Sequence, residues 1–271
     1  MLDQTAISSH CRSHPRLGKL IHEVLVYDAV DSTNRLALEM ESMGPAGGIL
    51  ILADAQKAGK GRLGRRWFSP PHSNIYLSLL LHPTLAINEY PLFSLASALG
   101  TIAGIQKVTG TTAGIKWPND IFIHHKKIGG ILLETKTSCH KTPALVIGIG
   151  INVNLDMNDM PKELRNAATS LKVEFGRRID RTQLVKALIE ALADQIVALE
   201  GGNKDAMILS SRHHCITLGR WVRIETPNED FEGRAENIGM DGSLLIRMDN
   251  GKRRKLQLGE VTHLREKAGT H

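Results

Sequence analysis

Residues Gly59-Lys60-Gly61-Arg62-Leu63-Gly64 place three glycines and two cations in six positions, and Lys57, Arg65 and Arg66 bring the cations to five before Trp67. Glycine lets main-chain N–H groups approach a ligand closely. Arginine holds a phosphate or carboxylate through two parallel bonds, and an indole offers a face to a nucleobase. The spacing also satisfies G-x-G-x-x-G, the dinucleotide signature, which needs a preceding strand, a following helix and an acid about 20 residues on. Trp67-Phe68-Ser69-Pro70-Pro71 breaks a helix directly after the loop, and Tyr76 to Ile87 contains no Asp or Glu. The dinucleotide reading fails. A loop that gathers anions remains, with a solvated basic loop as the alternative.

A second cluster is Lys116-Trp117-Pro118-Asn119-Asp120. Asn119 and Asp120 offer oxygens of the kind a hydrated Mg²⁺ uses, although Pro-Asn-Asp by itself is a common turn. Further on, Lys127 precedes Ile128-Gly129-Gly130: a lysine able to reach into a cleft walled by bare backbone, or else a solvated hairpin residue. Ser32 and Thr33 supply two hydroxyls at a helix N-terminus, where capping and ligand binding can coexist. Gly148-Ile149-Gly150-Ile151-Asn152 is a second glycine-bearing strand, read most simply as close backbone packing. His213-His214-Cys215 lacks a second ligand pair for a metal. Lys252-Arg253-Arg254-Lys255 reads as charge that protects a sheet edge, with a polyanion contact as the alternative. No Ser/His/Asp or Cys/His arrangement is present.

The elements that must position these residues follow from patterning. EVLVYDA (23–29), GGILILADA (47–55) and NIYLSLLL (74–81) read as strands, with a helix opening at Asp31-Ser32-Thr33-Asn34. A helix over 89–108 precedes short strands at 114–117, 121–125, 127–135 and 144–153. Leu184, Leu188, Leu192 and Ile196 mark a helix over 180–199 behind an Asp180 cap, and another covers 203–212. From 217 onward, short strands punctuated by Gly and Asp-Gly turns suggest a small antiparallel barrel. Residues 1–22 show no periodicity and read as a loosely ordered lead-in. The expected division is 1–22, a catalytic domain at 23–216 and a barrel at 217–271.

The 271 residues are 42% hydrophobic and 23% charged, which excludes disorder on the scale of the chain. A net charge of +6 invites a polyanionic partner. Cys11, Cys139 and Cys215 are odd in number and far apart, so no disulfide framework or C-x-x-C pair is expected. The N-terminus has no apolar core of a secretory signal, and no apolar run approaches the roughly 20 residues of a membrane span. A cytoplasmic protein without a membrane partner is expected.

In order, the clusters closely resemble the biotin protein ligases: DSTN (31–34), ADAQKAGKGRLGRRWFSP (53–70), KWPNDI (116–121), KIGGILLE (127–134), GIGINVN (148–154), ATSL (168–171) and the closing GEVTHLR (259–265). The resemblance spans about residues 24 to 266. It implies an α+β fold: a mixed sheet flanked by helices, of the class II synthetase-like type, followed by a small SH3-like β-barrel. It implies that ATP activates biotin to biotinyl-5′-AMP, and that biotin then passes to a lysine of a biotin carboxyl carrier domain, as in acetyl-CoA carboxylase. Ser32, Thr33 and Gln56 would meet the ureido group, with Gly59 and Gly130 lying against the ligand. Arg62 would close over biotin and adenylate, Lys60 and Arg65 would serve the phosphates, and Trp67 would enclose the adenine side. Asn119 and Asn152 would serve ATP, Asn119 near Mg²⁺, while Lys116 and Asp120 hold that loop's shape and charge. Lys127 matches the lysine beside the reacting carboxylate and α-phosphate, and with Arg62 it is the expected catalytic pair.

Two departures from the family pattern bear on function. About 30 residues precede DSTN, too few for the winged DNA-binding domain of many bacterial relatives, so operator binding is not expected. Position 60 is Lys where many members carry Arg, which keeps charge and loses the two-pronged geometry. A homodimer through the sheet is a family habit that one sequence does not reveal. The rivals are a lipoate ligase, which shares the adenylation logic; a non-enzymatic nucleic-acid-binding or biotin-sensing regulator; and a degraded ligase, against which Lys127, Arg62 and Asn119 argue.

Overall fold

The computed structural model describes residues 1–43, 47–137, 142–226, 229–257 and 259–263. Cys139 and the last two residues of the GEVTHLR segment lie outside the described residues. The chain opens with α1 (Gln4–Ser13) and α2 (Pro15–Leu20), which correct the expectation of a loose lead-in. Asp3 caps α1, its carboxylate accepting from Ala6 N–H, and Ile7, Cys11 and Leu17 enter the core beside Val24. Burial pushes the Cys11 thiol up to about 11, so it is an inert packing group.

Seven strands form one sheet in the order β1-β2-β3-β7-β6-β5-β4. They are β1 (Glu23–Tyr27), β2 (Ile49–Ala53), β3 (Ile75–Leu81), β4 (Gly114–Lys116), β5 (Asp120–Ile123), β6 (Lys126–Lys136) and β7 (Ala144–Ile151). The first pair is parallel and the others are antiparallel. Alternation decides the two faces. Leu50 and Leu52, Leu77 and Leu79, and Ile147 and Ile149 join the main core. The intervening Ile49, Ile51, Leu80 and Val146 pack with Ala37 of α3 (Thr33–Met43).

On the main-core side lies α4 (Pro91–Thr109), a described helix apolar and long enough in composition to cross a membrane. Its apolar surface is instead buried against the sheet and the later helix that runs from Arg181 to Glu200. A Cβ on Gly100 or Gly104 would stand 2.7 Å from the Cα of Leu192 or Leu188, so glycine is what permits this close helix contact. After the short α5 (Leu171–Phe175), α6 (Arg181–Glu200) starts at the expected Asp180 cap, whose carboxylate accepts from Thr182 and Gln183 N–H. In its first turn, Arg181 Nη1 lies 2.7 Å from Oδ1 of Asp54, a carboxylate with no solvent exposure at the end of β2.

Beyond α7 (Lys204–His214), five antiparallel strands form the barrel in the order β11-β10-β9-β8-β12. They are β8 (Trp221–Glu225), β9 (Asp230–Ile238), β10 (Leu244–Arg247), β11 (Arg253–Leu256) and β12 (Glu260–His263). The basic run occupies the edge strand β11, where Arg253 pairs with Glu236, Arg254 with Glu229 and Lys255 with Asp241. That supports edge protection over a free polyanion patch.

Burial, with Lys116 and Arg220 nearby, pushes the His263 imidazole on β12 down to about 4. The unfolded chain therefore binds a proton below the ordinary value of 6.5 that the folded chain refuses until about 4. The stabilising neutral state is complete above pH 6.5 and is lost as pH falls toward 4. Thermal melts at fixed ionic strength should show a steeper decline across that window for the wild type than for His263→Asn.

Candidate active site

The strands bring the three sequence clusters to one cleft of about 360 Å³ on the α3 face of the sheet, beyond the N-terminus of that helix. Its floor follows from strand parity. Register aligns Tyr76, Gly150, Gly130 and Asp120 across β3, β7, β6 and β5. The next row is Ser78, Gly148 and Leu132. In the GIGIN segment the isoleucines face the core while the glycines leave the opposite face bare. Two side chains rest on that bare backbone. A Cβ on Gly150 would come within 2.6 Å of Trp67 Nε1, and one on Gly148 within 2.1 Å of Asn34 Oδ1. The Trp67 indole N–H is buried with no hydrogen-bond partner, an orphaned donor on the cleft wall.

One end of the cleft is a polar network. Gln56 Oε1 accepts from Thr33 N–H at 2.9 Å and lies 3.2 Å from Thr33 Oγ1, while its Nε2 donates to Ser69 Oγ at 3.1 Å. The fully buried Ser78 hydroxyl lies 2.7 Å from Thr33 Oγ1 and 2.6 Å from Asn34 Oδ1. Asn34 Nδ2 donates to Glu134 at 2.8 Å. Ser32 also lines the cleft and receives a long bond from Arg35 N–H at 3.5 Å, so capping and cleft lining do coexist.

The other end is cationic. Lys60, Arg62, Arg65, Arg66 and Lys116 line it, and Lys127 stands at the start of β6. Lys127 Nζ lies 2.7 Å from Asp120 Oδ1 and 5.4 Å from the Trp67 ring centroid. Its main chain is clamped by the ATSL segment and the residue before it, donating to Ala167 O and accepting from Thr169 N–H, both at 2.9 Å. Arg62 Nη1 donates to Asn119 Oδ1 at 3.2 Å and to Gly259 O of the barrel at 3.4 Å. Asn119 Nδ2 donates to Ile131 O at 2.8 Å. Lys116 Nζ sits 5.6 Å over the Phe122 ring.

Twelve of the thirteen predicted residues line the cleft: Ser32, Thr33, Gln56, Lys60, Arg62, Arg65, Trp67, Lys116, Asn119, Lys127, Gly130 and Asn152. Gly59 does not. It is buried behind the wall, where its carbonyl accepts from Trp67 N–H and a Cβ would meet Ser69 Oγ at 2.6 Å. Its lack of a side chain makes room for Ser69 and the Trp67 carbonyl. Asn152 reaches the cleft, but its amide is engaged by Asn74 and by Thr169 O. Sequence reasoning missed Asn34 and the barrel residues Gly259 and Val261, which line the cleft, and Ser78 and Glu134, which hydrogen-bond to Asn34 behind it. The alternation of β7 and β6 was a usable signal for Leu132, two residues beyond Gly130; nothing local announced the barrel.

The oxygens of Asn119 and Asp120 already face Arg62 and Lys127. Among the described residues, no three His, Cys, Asp or Glu groups lie together as a metal cage. The donors fit an ion that keeps its waters and arrives on phosphates, with few protein ligands.

Comparison with known proteins agrees with this geometry. Residues 26–152 match the model of the Biotin/lipoate A/B protein ligase family, and 217–264 match the Biotin protein ligase C terminal domain. The chain is 33% identical over 228 residues to the bifunctional ligase/repressor BirA of Bacillus subtilis, covering 84% of this chain and 70% of that protein. It is 30% identical over 223 residues to the biotin--[acetyl-CoA-carboxylase] ligase of Mycobacterium tuberculosis, covering 80% of each. The biotin protein ligase of Aquifex aeolicus, solved in complex with biotin and ATP, superposes with a TM-score of 0.77 at 26% identity, covering 90% of this chain and 99% of that one. Fold, cleft and both matched domains agree: the chain belongs to the biotin protein ligase family.

Proposed function

We propose that both half-reactions of this ATP-dependent biotin ligase take place over the glycine floor, with Lys127 at the reacting centre. The observation that carries the assignment is the position of Lys127 in the cleft lining, its Nζ 2.7 Å from Asp120 Oδ1 and 5.4 Å from the Trp67 ring centroid. A biotin carboxylate oxygen attacks the α-phosphorus of ATP, the bond to pyrophosphate breaks, and biotinyl-5′-AMP remains. A deprotonated carrier lysine then attacks the biotinyl carbonyl, and the C–O bond to AMP breaks with its electron pair. Both steps need anions brought together and developing charge neutralised, which is the work of fixed cations. No enzyme nucleophile enters either step.

Thr33, Ser32 and Gln56 suit the ureido head, and Gly130 lies beneath the ligand. Lys60, Arg62 and Arg65 would face phosphates, with Trp67, Lys116 and Asn152 bordering the nucleotide. Asn119 would turn its oxygen toward Mg²⁺, which arrives on ATP and offsets phosphate charge. The name of the mycobacterial relative supports a carboxylase's biotin carrier domain as acceptor.

Gly148→Ala should push Asn34 off its seat, because a Cβ there would lie 2.1 Å from its Oδ1. Loss of the Asn34–Ser78–Thr33 network should raise the biotin KM by about tenfold or more, with a smaller change in the ATP KM. Steady-state pyrophosphate release checks both.

The polar end also favours biotin over lipoate, whose dithiolane offers no hydrogen-bonding group to these amides and hydroxyls in return for their lost water. With each acid in turn, pyrophosphate release should give biotin a kcat/KM at least about 100-fold higher. Equal turnover, or a preference for lipoate, would overturn the biotin assignment.

A further inference from the structure

The barrel reaches the nucleotide end of the cleft through a short chain of buried and half-buried hydrogen bonds. Trp117 N–H donates to Thr217 Oγ1 at 3.1 Å, and Thr217 Oγ1 lies 3.0 Å from Nε2 of His263 on β12. Thr217, in the connection between α7 and β8, has no solvent exposure, and Trp117 is 2% exposed. The Trp117 indole N–H donates to Gly242 O at 2.9 Å, and the Ser94 hydroxyl donates to Pro118 O at 3.2 Å. Residues 117 and 118 are thus held from the barrel on one side and from α4 on the other. The next two residues are Asn119, bonded to Arg62, and Asp120, paired with Lys127.

We propose that Thr217 and His263 are positioning residues for ATP, setting the Asn119–Asp120 segment through the main chain of Trp117. The proposal rests on the reading that this segment faces the nucleotide. A hydroxyl has one proton to give, and Thr217 already accepts from Trp117. With the imidazole proton on Nδ1, Thr217 can give that one proton to Nε2 of His263 while accepting from Trp117. The charged groups around His263 are Lys116 on β4 and Arg220 before β8; together with burial they push its pKa down to about 4 and keep its imidazole uncharged at neutral pH. Removing the Thr217 hydroxyl leaves a buried Trp117 N–H without a partner, so the main chain must move to find one. Asn119 lies two residues along, with Arg62 bonded to its carboxamide oxygen.

The test is initial-rate kinetics of pyrophosphate release on the full chain, varying ATP and biotin separately, for Thr217→Val, Thr217→Ser and His263→Leu. The expected result is a rise in ATP KM of about tenfold for Thr217→Val, with biotin KM within about twofold. Thr217→Ser should recover the wild-type ATP KM, and His263→Leu should show a smaller rise of the same kind. His263 is only partly buried, so its variant carries the test if Thr217→Val melts below the assay temperature. Unchanged ATP KM in a folded variant, or equal rises in both KM values, would overturn the proposal. If the wild type makes no biotinyl-5′-AMP, the reading of the cleft fails instead, and that outcome is distinct because it needs no variant.

Discussion

Lys127→Ala is expected to retain the fold and the biotin affinity to within a few-fold, and to lose adenylate formation by about 10²–10⁴-fold in kcat. Lys127 is 29% exposed at its side chain, so truncation opens no cavity in the core. The loss has two sources. The reaction joins a carboxylate to a phosphate, and a fixed ammonium at the meeting point offsets repulsion that water would otherwise screen poorly. Its removal also strips the partner from Asp120, whose carboxylate lies 2.7 Å from Nζ in the present arrangement. An unpaired anion then faces two anionic reactants. Single-turnover pyrophosphate release measures the rate constant of the adenylation step contained in kcat, and thermal melting confirms the fold. A variant with near wild-type kcat would remove Lys127 from the chemistry.

The largest stability effect should come from a pair remote from the reacting atoms. Arg181→Ala leaves Asp54 buried, its carboxylate fully enclosed and, among the described residues, left with the exposed His72 ring, 2.9 Å from Oδ2, as its ion-pair partner. Arg181 also donates to Asn74 O at 3.1 Å, so that carbonyl loses a donor too. Leaving one member of a buried ion pair uncompensated costs about 3–5 kcal/mol. For a domain of this size that corresponds to a thermal midpoint lower by roughly 6–20 °C. Replacing both members by apolar residues should recover most of the loss, because the pair itself contributes little net stability once its desolvation is counted. Asp54 lies two residues before Gln56, so a marginally folded Arg181→Ala should also bind biotin weakly. Chemical denaturation of the single and double variants separates these terms.

The cleft's cationic end was legible because its residues are consecutive. Lys60, Arg62 and Trp67 fall in one loop, and Lys116, Asn119 and Lys127 flank one hairpin, so local spacing carries the information. The strands were legible because each alternates or is fully apolar, and a residue's parity then fixes which face it serves. What local spacing lacks is the partner across the sheet. Asn34 meets Glu134 across 100 residues and Ser78 across 44. Arg62 meets Gly259 across 197. Gly59 was read as a ligand contact because glycine beside cations suggests close approach; the second demand on it, from Ser69 and Trp67 packed behind it, is not visible in local spacing. The first helices escaped notice for a related reason. In α1 only Ile7 and Cys11 are buried, one turn apart, and a stripe that narrow among His, Ser and Arg shows little periodicity until Val24 and α6 supply its partners.

The most direct measurement is transfer itself: purified protein, biotin, ATP and Mg²⁺, following pyrophosphate release and then biotin appearing on a carrier domain, with and without its acceptor lysine. Pyrophosphate release that requires biotin, followed by labelling confined to the domain that keeps its lysine, is the expected result. Release without biotin, or no labelling of a competent carrier, would contradict a cleft built to make and spend biotinyl-5′-AMP.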